Sequence, residues 1–113
     1  MRTARTWRYR VAVEGESMAP GLRPGDWLLV EPLSAQGPGP RPGQVVVVPD
    51  PRLRGRWLVK RVDAIRPDGD LVLIGDAPGR STDSRAFGPV GRATVVGVAW
   101  ARYWPPQRLG RIH

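Results

Sequence analysis

This sequence predicts an all-β domain, a sandwich or barrel-like arrangement of short strands and tight turns, and three observations carry that prediction. Its 14 glycines and 13 prolines among 113 residues fall in clusters between short runs rich in Val, Leu and Trp, as turns between strands do. No stretch sustains a 3.6-residue apolar period, which argues against helix. Pro-Gly pairs recur where a type II turn wants them, with Pro fixing φ and Gly accepting a positive φ.

The elements follow in order. Strands are expected at YRVAV (9–13), WLLVE (27–31), QVVVV (44–48), RWLVKRVDAI (56–65), DLVLI (70–74) and TVVGVAW (94–100). RPGD (23–26) and RPGQ (41–44) are read as type II turns and PDGD (67–70) as a hairpin turn. LSAQGPGP (33–40) and PDPRLRG (49–55) are loops. The tail WPPQRLGRIH cannot continue a central strand, because its prolines remove ladder donors. A single domain over 1–113 is expected, with a basic arm at 1–8 and a tail at 105–113. A chain of this length buries roughly two-thirds of its unfolded surface.

Composition narrows the chemistry. There is no cysteine, hence no disulfide, thiolate nucleophile or Cys-ligated metal. The one histidine, His113, is the last residue, which argues against a Ser-His-Asp triad or a multi-His zinc site. No metal and no cofactor are expected. The net charge of +8 comes from scattered arginines without a long basic block or an RNA-binding motif, so no nucleic-acid partner is expected. The basic start MRTARTWRYR is not followed by an apolar signal-peptide core. No apolar run approaches the roughly 18 residues that span a bilayer. A soluble, cytoplasmic protein is the expectation, with peripheral membrane contact through its five tryptophans left open.

The remaining catalytic groups are Ser17, Ser34, Ser81 and Ser84, the carboxylates, and Lys60. Lys60 is the only lysine, against 17 arginines, and it lies inside an apolar run. A free lysine, with pKa about 10.4, is neutral in about one molecule in 2,500 at pH 7. Burial disfavours the ammonium form, whereas an arginine stays protonated. Strand alternation puts Leu58, Lys60 and Val62 on one face, and Trp57, Val59 and Arg61 on the other. A general base and a snorkelling edge-strand lysine both fit that spacing. Ser17 sits on a turn beside Gly15, where close backbone approach can supply N–H donors for an oxyanion. From one serine alone, an ordinary turn serine is the better reading.

Three boxes in sequence resemble the signal peptidase I family: GESMAPGLRPGDWLLV its serine box, WLVKRV its lysine box, and GDAPGRSTDSRAFGPV its third box. The match runs from about Val13 to Val90. The resemblance implies an all-β serine protease with a Ser-Lys dyad, a fold shared with the self-cleaving domains of SOS-response repressors. It implies Ser17 as nucleophile and main oxyanion N–H donor, and Lys60 as general base. Ser81 would orient the lysine amine, with Asp76, Asp83 and Arg85 as structural support. Gly15 stands where some members carry a second oxyanion donor, Gly21 where threonine is usual, and Ala77 where asparagine is common. The N-terminal span of signal peptidases has no counterpart in this sequence. That absence and the ending VAWARYWPPQRLGRI are similar to the soluble proteases that mature nickel-type superoxide dismutase. The implied substrate is the dismutase precursor, cut to free its N-terminal nickel hook. Alternatives are cleavage of exported preproteins at a membrane surface, a self-cleaving regulatory domain, and a non-enzymatic basic domain binding nucleic acid. The self-cleaving reading lacks an Ala-Gly cleavage dipeptide.

Overall fold

The computed structural model describes residues 9–13, 18–33, 37–50, 54–76 and 88–112. Its strands are β1 (Tyr9–Ala12), β2 (Trp27–Pro32), β3 (Val45–Pro49), β4 (Trp57–Ile65), β5 (Leu71–Ile74), β6 (Gly97–Trp104) and β7 (Gly110–Arg111). They form one seven-stranded sheet in the order β1-β2-β6-β3-β4-β5, with β7 also paired to β6. Every pairing is antiparallel. β2 runs along one side of β6, so β3 (against 97–99) and β7 (against 101–102) share the other.

The four consecutive valines of β3 explain the packing. All are buried, because the strand carries a core on each face. Val45 and Val47 join Val11, Val13, Met18, Leu22, Leu28, Val30 and Ala99. Val46 and Val48 join Leu58, Val62, Leu71, Leu73 and Val95. A run without polar alternation is the signature of a strand covered on both sides.

The two Pro-Gly turns form as expected. Asp26 N–H donates to Arg23 O at 3.0 Å, and Gln44 N–H to Arg41 O at 3.1 Å. Gly25 and Gly43 take φ of 92° and 93°, a region that side chains resist. In each turn the fourth residue's side chain accepts the first residue's N–H, from Arg23 to Asp26 and from Arg41 to Gln44. The β4–β5 hairpin also forms, with its hydrogen-bonded turn one residue early, from Gly69 N–H to Arg66 O.

The sixth strand starts later than expected. Residues Arg92–Thr94 close a 3-10 turn instead, with Thr94 N–H and its hydroxyl both satisfied by Gly91 O. The strand then runs to Trp104, and Pro105 ends it as a missing ladder donor must. Beyond the prolines, β7 is a short strand that the sequence pattern did not announce. The expected arm at 1–8 lies outside the described residues.

Candidate active site

Lys60 sits in β4, paired in register with Val46 of β3. The pleat places it on the face of Leu58 and Val62, as alternation required, and it is 2 % exposed. Among the described residues it is the largest side chain buried to this degree. Val46 also pairs with Val98, and Val98 with Glu31. One rung therefore crosses the sheet from Glu31 through Val98 and Val46 to Lys60. A cavity of about 510 Å³ opens at its far end, lined in part by Glu31, Val98, Trp100 and Arg111. Two strand spacings, roughly 10 Å, separate Val98 from Lys60.

On the opposite face of β4, Arg61 grips Asp76. Its Nε donates to Oδ1 at 2.9 Å and its Nη2 to Oδ2 at 2.7 Å, while Nη1 donates to Gly43 O at 2.8 Å. The hydrogen bond to Asp76 raises the Arg61 pKa further above its usual value, against the pull of burial. This bidentate geometry is the strong form of an arginine–carboxylate contact. It ties the residue two beyond the end of β5 to the strand that carries Lys60. The partner of Asp76 is thus Arg61. Strand alternation assigns Arg61 only to a face, and its one local signal is a charge within an apolar run.

Ser17, Gly15, Ser81, Asp83 and Arg85 lie outside the described residues. Both limbs of the Ser17 loop are described. Val13 N–H donates to Asp26 O at 2.8 Å and Gly25 N–H to Val13 O at 3.0 Å, closing the loop's neck. Met18, the residue after Ser17, is 1 % exposed and Leu22 4 %, so the returning limb is anchored in the first core.

Asp26 at the neck is buried, at 2 % exposure. Its Oδ2 accepts the Arg23 N–H at 2.9 Å, Arg108 Nη2 at 3.2 Å and Arg102 Nη1 at 3.3 Å. Burial alone would push its pKa up. The Arg23 N–H, then Arg108 and Arg102, outweigh that and hold the carboxyl below its usual range. Neither arginine stands out in the sequence: Arg102 falls just past the strand expected at 94–100, and Arg108 lies in the strand-breaking tail. Among the described residues, no group of three His, Cys, Asp or Glu converges as a metal site would.

The family model for signal peptidase, peptidase S26, matches residues 3–68 and 65–104. The chain is 35 % identical over 125 residues to mitochondrial inner membrane protease subunit 2 of Danio rerio, covering 92 % of this chain and 68 % of that one. It is 34 % identical over 122 residues to mitochondrial ATP-independent inner membrane protease subunit 1a of Arabidopsis thaliana, covering 88 % and 73 %. It is 24 % identical over 143 residues to probable signal peptidase I-1 of Synechocystis, again covering 88 % and 73 %. This chain, with its all-β sheet and buried lysine, therefore belongs to the signal peptidase family, peptidase S26, and the protein is a serine peptidase.

Proposed function

We propose that Ser17 and Lys60 form the catalytic dyad of an endopeptidase that removes the N-terminal propeptide of a precursor protein. The substrate proposed first is the precursor of a nickel-type superoxide dismutase, cleaved in the cytoplasm. The observation that carries the dyad is the burial of Lys60, the only lysine, beside Val46, Leu58 and Val62. An amine held away from water favours its neutral form and can take a proton.

Ser17 Oγ attacks the scissile carbonyl carbon as Lys60 Nζ takes the hydroxyl proton. The tetrahedral oxyanion is stabilised by the Ser17 N–H. Lys60 returns the proton to the leaving amine, and the ester that remains on Ser17 is hydrolysed by a water that Lys60 deprotonates in turn. Ser81 steadies the amine. The dismutase substrate rests on the resemblance of the Trp-Pro-Pro tail and the STDSRAFGPV box to that subgroup.

A second reading is cleavage of exported preproteins at a membrane surface. It is favoured by the exposure of Trp27 (39 %), Trp57 (44 %) and Trp104 (52 %), and by relatives that are inner membrane proteases and signal peptidases. Trp27 and Trp104 lie opposite one another at the end of the β2–β6 ladder, and indole suits a lipid interface.

The test is incubation with the dismutase precursor, followed by sequencing of the product N-terminus. Ser17→Ala, Lys60→Ala and Lys60→Arg should each abolish cleavage while circular dichroism stays that of the parent. The arginine variant keeps charge and loses usable basicity, so turnover by it would remove the general-base role. The rate should rise with deprotonation of one group whose pKa lies well below 10.4. An uncut dismutase precursor, with strong co-sedimentation on anionic vesicles, would move the substrate assignment to exported preproteins.

A further inference from the structure

The loop that carries Ser17 leaves the sheet at Val13 and rejoins it at Asp26, where two backbone bonds close its neck. Above the neck its returning limb has two kinds of anchor. Met18 and Leu22 are apolar and buried. Gly21 O and the Asp26 carboxylate are polar, and both are reached by the same two side chains. Arg102 Nη1 and Arg108 Nη2 each donate to Gly21 O at 2.8 Å, and the same two nitrogens reach Asp26 Oδ2.

These guanidiniums come from far along the chain. Arg102 lies in β6, and Arg108 ends the 3-10 turn Pro106–Arg108 beyond it. Arg102 Nε also donates to Arg108 O, which fixes the two residues to each other. Two like charges converging here would repel, and the buried Asp26 carboxylate between them offsets that repulsion. Neutralising Asp26 would require one guanidinium. The second guanidinium, and the aim of both at a carbonyl four residues after Ser17, join the C-terminal turn to the serine loop.

We propose that Asp26, Arg102 and Arg108 are positioning residues, forming an ionic clamp by which the C-terminal turn sets the place of the nucleophile's loop. The proposal rests on the reading of Ser17 as nucleophile. Its consequence is kinetic. A misplacement of about 1 Å at a reacting group can cost about 100-fold in rate, so a loop tethered only at its neck and by two apolar side chains would turn over slowly while still folded.

The test uses the full chain with Arg108→Gln and Arg108→Lys, at a temperature well below unfolding and with an internally quenched peptide carrying small residues before the scissile bond. Arg108→Gln should lower kcat at least tenfold with KM within about threefold of the parent. Arg108→Lys, a single point donor that can serve one acceptor at a time, should fall between the two. Amide exchange supplies a readout independent of turnover. The Leu22 and Gly25 amides, both bonded within the loop, should exchange at least tenfold faster in Arg108→Gln, with the Val46–Val48 amides of β3 unchanged. A kcat within twofold of the parent overturns the proposal. So does unchanged exchange at Leu22 and Gly25, or an equal acceleration across the whole sheet. Ser17→Ala, assayed alongside, separates the two ideas. Activity in that variant removes Ser17 as nucleophile, and with it the clamp's kinetic role. Loss of activity there leaves the Arg108 variants to decide the clamp alone.

Discussion

Lys60 is an ionisable side chain at a buried position of β4. Its face is shared with Val46, Leu58 and Val62, and burial disfavours a charge there. Lys60→Met, close to lysine in volume, should be inactive while its far-UV circular dichroism stays that of the parent; turnover by this variant would remove the amine from the mechanism. At Asp26 the charged form is favoured instead. Its carboxyl is held below the unfolded value of about 3.9. Its contribution is thus complete above about pH 4 and is lost as pH falls through the lower, folded value. Asp26→Asn should flatten the acid limb of the stability–pH curve and lower stability at pH 7 by about 3 kcal/mol, since it strips the clamp arginines of their counter-charge. A parent-like acid limb in that variant would contradict the assignment.

At the scale of elements, β4 carries an ionisable side chain on each face. Up to Val62 its buried and part-exposed residues alternate, and past a bulge at Val62–Ala64 the last three are exposed. Lys60 thus points into the second core while Arg61 holds Asp76 across the other face. β6 depends on a close approach. A Cβ on Gly97 would lie against the Glu31 carbonyl oxygen and 2.8 Å from Val30 Cγ1, inside any real contact. Backbone cannot yield there as a flexible side chain would. Gly97→Ala should lower stability by about 1–3 kcal/mol, the usual cost of overpacking, and should shift the thermal midpoint downward. Gly25 and Gly43 are required for a different reason, their positive φ.

At the scale of the whole molecule, β3 joins two cores through adjacent residues. Val47 packs in one and Val46 in the other, both fully buried. Loss of either should be felt by the whole sheet. Val46→Ala and Val47→Ala should each cost about 2 kcal/mol, from two lost methyl groups and the cavity left behind. Tryptophan fluorescence and far-UV circular dichroism should still report one coincident transition in each variant. Separate transitions would mean that the two cores fold as independent units. The Ser17 loop and the C-terminal turn also meet only at this scale, since Arg108 and Gly21 are 87 residues apart in the chain.

The strands, the Pro-Gly turns and the faces of β4 were legible in the sequence, because each depends on neighbours within a few residues. Alternation along WLVKRV placed Lys60 among aliphatic side chains, and a fixed φ at Pro with a positive φ at Gly made RPGD and RPGQ turns in any context. Rarity singled out Lys60, the only lysine in the chain. Long-range pairing was not legible. Nothing local says that VVVV is covered on both faces, that Arg61 reaches Asp76, or that the strand-breaking tail returns as β7 and sends Arg108 to Asp26. The start of β6 was misplaced for a related reason. RATVVGV has a strand's composition, yet Gly91 O offered Thr94 two bonds nearer than any ladder. Partners chosen across the fold depend on which surfaces meet, and that is set by the packing of the two cores around β3.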